Sequence, residues 1–400
     1  MRLVVAEWGS IGGLDLTADQ IEALASSEAF QLGPDTDSPG RWRISATHRV
    51  GVAQLAGLSI KVTPKVPTHR LLELLCSTME RVRWDDRVTT WAYQDDLLAT
   101  VAASFLAHAE AVLHQGLLQG YRTIDDGMHG IRGRIDIGRQ LSRNPGLALP
   151  VEVTYDDYTP DILENQLLAG AVRMLLRLSV LPATLVTRLR RLEVHLIGVT
   201  PTLGSADPPL VTWTRLNERY RSAVTLARLV LRGASLEFEG HGATSGASFL
   251  VDMNQVFEDV VGQGVRAALN PTGHTTYLQR EDRLDLHQLI SIRPDLRVDL
   301  GTEHIAVADV KYKRPGSHGI SNGDVYQALA YASRYRLAAS TLIYAEEPQH
   351  KQLEIGEVTI KLAFLDLNDS PDERAAALAE LAEQLARTPL TGRGRTISPR

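Results

Sequence analysis

Two short stretches decide how the C-terminal part of the chain folds: SIRPDLRV, residues 291–298, and AVADVKYK, residues 306–313. Both are rich in strand-forming residues and are close enough in sequence to become neighbouring strands of one sheet. Because side chains alternate between the two faces of a strand, Asp309 and Lys311 share a face. Asp295 is the corresponding carboxylate on the earlier stretch. The sequence therefore predicts two carboxylates and a lysine at adjacent strands.

Such a pair of carboxylates has a chemical requirement. The two negative charges repel each other and destabilise the fold unless a cation lies between them. Mg²⁺ suits the position, since it takes one or two carboxylates together with waters and substrate phosphate oxygens. Lys311 beside the metal would position or deprotonate a water and offset charge on a phosphate. The set predicts phosphodiester hydrolysis, although an ordinary cross-strand ion pair explains any single Asp-x-Lys motif.

The flanking sequence predicts that these strands belong to a compact α/β domain with a mixed sheet. Apolar periodicity marks helices before and after them, and β-branched runs mark further strands. The predicted elements are a helix over 249–269, strands over 275–280, 289–300 and 304–313, a helix over 323–337, and strands over 341–345 and 358–367.

Two of the predicted helices carry polar residues beside their apolar stripes. Glu258 lies next to the apolar stripe of the first helix and can point over the sheet edge as a metal or water ligand. In the second helix Gln327, Tyr331 and Arg334 form a polar-aromatic stripe that is placed to touch substrate phosphates. The alternatives are a solvated carboxylate for Glu258 and plain exposure for Arg334.

The rest of the chain predicts an α+β or α/β multidomain protein. Residues 41–66 alternate like strands, and apolar residues recur at helical spacing over 69–84 and 95–119 and in most of the region up to 232, apart from a glycine-rich turn and short strand over 125–136. The stretch GHGATSGAS is a small-residue linker. The predicted domains are a β-rich unit over 1–68, a mainly helical region over 69–239, the linker over 240–248, the α/β domain over 249–370, and a helix with a basic tail over 371–400.

Composition excludes several protein classes. The chain has 400 residues, 42 Lys+Arg against 48 Asp+Glu, and a net charge of −6, which excludes disordered, collagen-like and disulfide-scaffold proteins. The excess of acid argues against a large autonomous nucleic-acid-binding surface. None of the six lysines is followed by Ser or Thr, so the chain has no standard phosphate-binding P-loop. Any nucleotide-hydrolysing activity must come from a partner.

The single cysteine and the absence of long apolar runs indicate the compartment. Cys76 lies in the apolar run LLELLCSTM and cannot form an intramolecular disulfide, so it is expected to be a buried structural thiol. This fits a reducing cytoplasm. No uncharged stretch has the length of a membrane span, and the N terminus does not read as an export signal. A cytoplasmic protein with no membrane partner is expected.

The ordered motifs resemble a known group of nucleases. Glu258, Pro294-Asp295, Asp309-Val310-Lys311 and Gln327-x-x-x-Tyr331 together resemble the PD-(D/E)XK nuclease superfamily in its RecB-like form. More closely, MNQVFEDVV, IRPDLRV, VADVKYK and VYQALAYA resemble the McrC-like nuclease subunits of McrBC modified-cytosine-specific restriction systems. Weaker similarity lies upstream, in LSIKVTPKV (58–66), IRGRIDI (131–137) and DILENQLL (161–168). Val310 departs mildly from the small residue usual between the Asp and the Lys.

The resemblance implies a function, a site and partners. It implies an endodeoxyribonuclease that cuts DNA with Mg²⁺, or alternatively Mn²⁺, and stimulates a GTP-hydrolysing AAA+ ring of the McrB type. Residues 1 to about 240 would contact that ring. Candidates for partner or DNA contacts, with ordinary exposure as the alternative, are Lys61, Lys65, Arg132 and Arg134. The implied site residues are Asp295, Asp309, Lys311 and Glu258 for catalysis, Asp295, Asp309, Val310 and Glu258 for the metal, and Gln327 and Tyr331 for substrate.

Two other functions remain open at the level of sequence. A free-standing RecB-like repair nuclease would use the same chemistry, but it would not need the long N-terminal region. A non-cutting scaffold that only activates a partner NTPase would be expected to have lost at least one of the four catalytic positions, and all four are present.

Overall fold

The computed structural model describes residues 1–79, 96–178, 180–202, 208–235, 248–313 and 320–387. The chain divides into two compact units. The first comprises Met1–Thr68 and Met79–Val251, and the second comprises His69–Thr78 and Asp252–Arg400. Of the predicted linker, residues 240–247 lie outside the described residues. Ser248 belongs to the first unit, where its hydroxyl accepts a hydrogen bond from the Gln54 amide at 3.1 Å.

The elements up to residue 252 form three sheets and a set of helices. The sheets have the strand orders β1-β6-β5-β10, β2-β4-β3 and β7-β9-β8. In chain order the elements are β1 (Arg2–Ala6), β2 (Ser10–Leu14), α1 (Ala18–Ala25), β3 (Phe30–Pro34), β4 (Trp42–Ala46), β5 (Arg49–Leu55), β6 (Leu58–Thr63), α2 (Thr68–Met79), α3 (Leu97–Leu113), β7 (Gly120–Met128), β8 (Arg134–Ile135), α4 (Ile137–Arg143), β9 (Val151–Thr159), α5 (Leu163–Arg177), α6 (Ala183–His195), α7 (Arg221–Ser235) and β10 (Phe249–Asp252).

The strands predicted over residues 41–66 are confirmed as β4, β5 and β6. In β6, Leu58, Ile60 and Val62 are buried and the intervening side chains are partly exposed, as the alternating pattern predicted. At Gly51 of β5, an added Cβ would lie 2.2 Å from the Phe249 carbonyl oxygen, so only glycine allows β10 to approach so closely.

Residues 120–159 differ from the mainly helical region that the sequence predicted. They form strands β7, β8 and β9 around the short helix α4. Most side chains of β7 are exposed on both faces, so its sequence has no alternation of apolar and polar residues to reveal a strand. The helices predicted on either side of this segment are confirmed as α3, α5, α6 and α7, whereas the part of the first predicted helix beyond residue 79 lies outside the described residues.

The second unit contains a mixed sheet, as the sequence predicted, but the sheet has six strands where five strands were predicted. Its strand order is β11-β14-β15-β16-β18-β17; β15, β16 and β18 run parallel, and the remaining neighbours are antiparallel. The elements are α8 (Met253–Leu269), β11 (His274–Leu278), β12 (Asp282–Arg283), β13 (Ser291–Ile292), β14 (Leu296–Leu300), β15 (Glu303–Lys311), α9 (Asn322–Tyr335), β16 (Ala339–Tyr344), β17 (Gln352–Ile355), β18 (Val358–Phe364) and α10 (Pro371–Ala386).

The first helix of this unit begins later than predicted. We expected a helix from residue 249, but residues 249–252 form strand β10, and α8 starts at Met253. The cause is local, because the Asp252 carboxylate caps the helix by accepting hydrogen bonds from the amides of Asn254 and Gln255 at 2.9 and 3.3 Å. The predicted buried stripe of α8 is confirmed at Met253, Val256, Phe257, Val260, Val261 and Val265.

Strand β15 is buried on both faces, and contacts with helices on the two sides fix the position of its C-terminal end. On one face Val307 packs with Tyr331 and Tyr335 of α9. On the other face the chain just beyond the strand places the Tyr312 ring against Phe257 of α8, with 6.0 Å between ring centroids. Because helices cover both faces, polar side chains are accommodated mainly where the strand ends.

Helix α2 lies almost entirely in the second unit, although most of the first unit follows it in sequence. Glu73 of α2 lies 3.9 Å from the buried guanidinium of Arg374 on α10. Cys76, on the same helix, is buried as predicted, and burial raises the pKa of its thiol to about 12. Among the described residues, no helix combines the length and hydropathy needed to span a membrane.

Candidate active site

The pairing of β14 with β15 brings the two predicted carboxylates together. Leu296 pairs with Ala308, and one step further along the two strands Asp295 faces Asp309. Asp295 is fixed by a hydrogen bond that its carboxylate accepts from the Val310 amide at 2.8 Å. Asp309 is only 2% exposed. The predicted neighbourhood of these two residues is therefore observed.

Lys311 lies beside this pair and is held from two sides. Its ammonium nitrogen is 2.5 Å from an Asp309 carboxylate oxygen and donates a hydrogen bond to the Gln327 side-chain oxygen at 3.2 Å. The Gln327 amide nitrogen in turn donates to the Tyr331 hydroxyl at 2.7 Å. Tyr331 is buried and fixes the position of Gln327, and Gln327 in turn holds the lysine in place. Their predicted contact with substrate stays a prediction.

Glu258 reaches the site from α8 through a loop residue. Its carboxylate accepts a hydrogen bond from the Gln279 side chain, and the Gln279 amide donates to the Asp295 carbonyl at 3.0 Å. The Arg293 guanidinium donates a hydrogen bond to the side-chain oxygen of Gln279. Gln279 adopts a left-handed backbone conformation with φ of 47°, which is strained for a residue other than glycine and is common at functional sites.

The sequence analysis missed Gln279 and Arg293. Both lie inside the strands predicted over 275–280 and 289–300, whereas in the structure Gln279 directly follows β11 and Arg293 directly follows β13. No local pattern marked these loop positions. Arg334, which we expected to touch phosphates or solvent, instead donates to the Asp282 carboxylate at 3.1 Å and to the Arg283 carbonyl. It thereby fastens the hairpin of β12 and β13 to α9.

The site carries perturbed protonation equilibria. Burial, reinforced by the charge of Asp295, raises the pKa of Asp309 to about 7. Burial likewise raises the pKa of Glu258 to about 7 and raises the pKa of Asp295 above its ordinary value. Burial lowers the pKa of Lys311, but the charges of Asp309 and Asp295 outweigh it and leave that pKa raised. Such clustered shifts are typical of functional sites.

The side chains fit a divalent metal ion in part. An Asp309 carboxylate oxygen is buried, and the Lys311 ammonium lies 2.5 Å from it. Asp295 and Asp309 supply the hard oxygen ligands that Mg²⁺ prefers, and Mg²⁺ commonly needs only two carboxylates. Within the described ranges no three acidic, His or Cys side chains converge on a metal position. Glu258 therefore fits as a ligand through water, and Val310 has only its main-chain carbonyl to offer.

Two of the four basic residues suggested upstream, Lys61 and Arg132, form ion pairs within the first unit. The ammonium of Lys61 pairs with Asp96 at 3.2 Å. Arg132 pairs with Asp157 at 2.6 Å and stacks over the Tyr155 ring. Arg134 is exposed. Ordinary surface roles account for Lys61 and Arg132.

Comparison with known proteins places the chain in a family. The family model described as the McrBC 5-methylcytosine restriction system component matches residues 44–345. No curated protein matches the sequence. A chain from the structure of Thermococcus gammatolerans McrB AAA+ hexamers with bound McrC has 18% identity and a TM-score of 0.60, with 96% of this chain and 100% of that chain covered.

A chain from the cryo-EM structure of the Thermococcus gammatolerans McrBC complex has 20% identity and a TM-score of 0.42, with 67% of this chain and 88% of that chain covered. At 18% identity, the match with the TM-score of 0.60 shows a similar fold. The family model covers well over half of the sequence. The chain therefore belongs to the McrBC 5-methylcytosine restriction system component family.

Proposed function

We propose that the chain is the nuclease subunit of an McrBC-type, modification-dependent restriction system, with a C-terminal nuclease unit of the PD-(D/E)XK type. It would cut DNA and stimulate a GTP-hydrolysing ring partner of the McrB type. The observation that carries the proposal is the convergence of Asp295, Asp309 and Lys311 at the ends of two paired strands, with Glu258 linked to them through Gln279.

The donor set supports hydrolysis of a phosphodiester. Asp295 and Asp309 would hold Mg²⁺ or Mn²⁺, with Glu258 contributing through water. When bound, the ion supplies Lewis-acid polarisation of the phosphate and a more acidic water. In the reaction the water oxygen bonds to phosphorus, the bond to one ester oxygen breaks, and that oxygen takes up a proton.

Lys311 has a defined part in this chemistry. The neighbouring carboxylates raise its pKa, so its ammonium stays protonated. Because Asp309 and Gln327 fix its position, it is preorganised to donate a hydrogen bond to a phosphate oxygen as negative charge accumulates there. Charge stabilisation suits the raised pKa better than removal of a proton from water.

The proposed partner rests on three observations. The chain has no P-loop, it belongs to the McrBC family, and its fold resembles that of a chain in an assembly of McrB AAA+ hexamers with bound McrC. A net charge of −6 also disfavours strong binding of duplex DNA by the chain alone. These observations favour a subunit that receives DNA through a partner.

We therefore predict that cutting depends on the partner. The full chain alone should cut a methylated duplex slowly, whereas addition of a GTP-hydrolysing ring partner of the McrB type, with GTP, should give rapid cutting. The rate of GTP hydrolysis by the partner should rise at the same time. Both rates are measured on one set of samples, with and without the chain.

The Asp309→Asn chain provides the control for this experiment, because it should still stimulate GTP hydrolysis while failing to cut. Rapid DNA degradation by the full chain alone would contradict the proposal and favour a free-standing repair nuclease. Stimulation without cutting by the unaltered chain, at any concentration of Mg²⁺ or Mn²⁺, would favour the non-cutting scaffold.

A further inference from the structure

A second lysine follows the candidate site two residues further along the chain. The Lys313 ammonium lies 2.9 Å from one Asp324 carboxylate oxygen and 2.8 Å from the other. Asp324 is only 6% exposed, whereas the Lys313 side chain is 41% exposed. A buried carboxylate therefore holds a lysine whose end remains accessible to solvent.

Asp324 is itself firmly placed. It lies in the first turn of α9, where the helix dipole favours a negative charge. One of its oxygens accepts a hydrogen bond from the hydroxyl of Tyr344, which is completely buried, at 3.3 Å. Tyr344 ends β16, where it pairs with Lys311 of β15. The carboxylate is thus fixed to the same strand end that carries the candidate catalytic lysine.

Lys313 and Lys311 are held in the same way. The chain turns at the residue between them, Tyr312, whose ring packs against Phe257 of α8, and the Lys313 amide donates a hydrogen bond to the Lys311 carbonyl at 2.9 Å. Helix α9 supplies one acceptor to each lysine, Gln327 to Lys311 and Asp324 to Lys313. The turn and the two contacts with α9 thus hold both lysines at the same end of β15.

A contribution to the stability of the fold does not by itself explain the ion pair between Lys313 and Asp324. Half-exposed ion pairs contribute little to stability, and burial of a carboxylate is costly. An ammonium has three N–H donors, and the two oxygens of Asp324 engage at most two of them at these distances. Among the described residues only Asp324 engages this ammonium, so its third donor and the exposed surface of Lys313 suit a phosphate oxygen.

We propose that Lys313 binds the DNA backbone phosphate adjacent to the one that is cut, and that Asp324 is the positioning residue that holds Lys313 in place. This inference rests on the proposed nuclease function and extends it by naming a residue that binds substrate. Lys311 acts on the reacting phosphate, and Lys313 sets the register of the strand.

The test uses the full chain with its ring partner, GTP and Mg²⁺, and measures kcat and KM for cutting of a methylated duplex at several salt concentrations. For Lys313→Met we expect a KM raised about tenfold, the effect of one lost charge-assisted hydrogen bond, with kcat nearly unchanged. The slope of log(kcat/KM) against log salt concentration should become less steep by about one, the change expected for the loss of one phosphate contact. Lys313→Arg should restore most of the affinity.

Two further variants separate binding from stability. Lys351→Met removes an exposed lysine next to β17, and its KM should equal that of the unaltered chain. The double variant Lys313→Met/Asp324→Asn removes the buried charge left unpaired by the single change. Its melting temperature should exceed that of Lys313→Met, while its KM should stay raised.

An unaltered KM and salt dependence in Lys313→Met would overturn the inference, as would recovery of the normal KM in the double variant. The proposed function is judged separately by Lys311→Ala. If that chain cuts like the unaltered chain, the assignment of the catalytic site fails; if the unaltered chain itself does not cut, the nuclease function fails. If Lys311→Ala is inactive while Lys313→Met behaves like the unaltered chain, only the inference about Lys313 fails.

Discussion

Asp309→Asn and Lys311→Ala should each reduce DNA cutting by about 100-fold or more, because each removes a charged group from the centre where water and phosphate react. Asp309 supplies a buried carboxylate oxygen suited to a metal ion, and Lys311 supplies the ammonium fixed beside it. Cutting is measured with the partner and GTP present. Full activity of either variant would refute the site assignment.

Matched surface variants control for general damage to the protein. Asp372→Asn and Lys351→Met each remove an exposed charge of the same type from the second unit, and both should cut like the unaltered chain. Circular dichroism of all four variants should show an unchanged content of helix and strand.

The effect of Asp309→Asn on the stability of the chain should depend on pH. The pKa of Asp309 is about 7 in the folded chain and near 3.8 in the unfolded chain, so the folded state binds the proton more tightly. Its contribution to stability is therefore present at low pH and is lost as pH rises from about 4 to about 7. Measured in chelator, Asp309→Asn should melt higher than the unaltered chain at pH 8 and lose that advantage at pH 4.

Removal of divalent metal should abolish cutting completely, and Mg²⁺ or Mn²⁺ should restore it, because the candidate site offers hard carboxylate oxygens. A chelator also acts on GTP hydrolysis by the partner, so the decisive measurement uses the chain by itself. Mn²⁺ should raise its melting temperature by binding the folded state.

Asp309→Asn and Asp295→Asn provide the comparison, since each should lose most of the Mn²⁺-dependent rise in melting temperature. The exposed Asp372→Asn should keep it. Cutting that survives a chelator, or an equal Mn²⁺ effect on all of these chains, would contradict a metal site at the two carboxylates.

The centre of the candidate site followed from sequence because it depends on local geometry. Alternation along a strand placed Asp309 and Lys311 on one face, and the short connection between the two stretches predicted that Asp295 would face them. The apolar stripes of α8 and α9 then placed Glu258 and Gln327 next to the sheet. Each inference needed only residues close in sequence.

The rest of the arrangement depends on contacts that no local pattern records. Gln279 reaches Glu258 from a loop through a strained backbone conformation, and loop conformation is not set by periodicity. The strands β7 and β9 expose both faces, so they lack a period-two signal. An amphipathic pattern shows that α2 buries one face, but it does not show which core receives that face.

The membership of α2 in the second unit has a consequence for how the protein is made. The second unit is discontinuous in sequence, and the first unit is largely an insertion within it. Residues 69–78 therefore leave the ribosome long before residue 252. A fragment that begins after the linker lacks α2, contrary to a simple division at residues 240–248, and it leaves Arg374 without Glu73. During synthesis the first unit can fold before the rest of the second unit, to which α2 belongs, has been made. The candidate site is therefore completed only after the residues of the first unit have been synthesised.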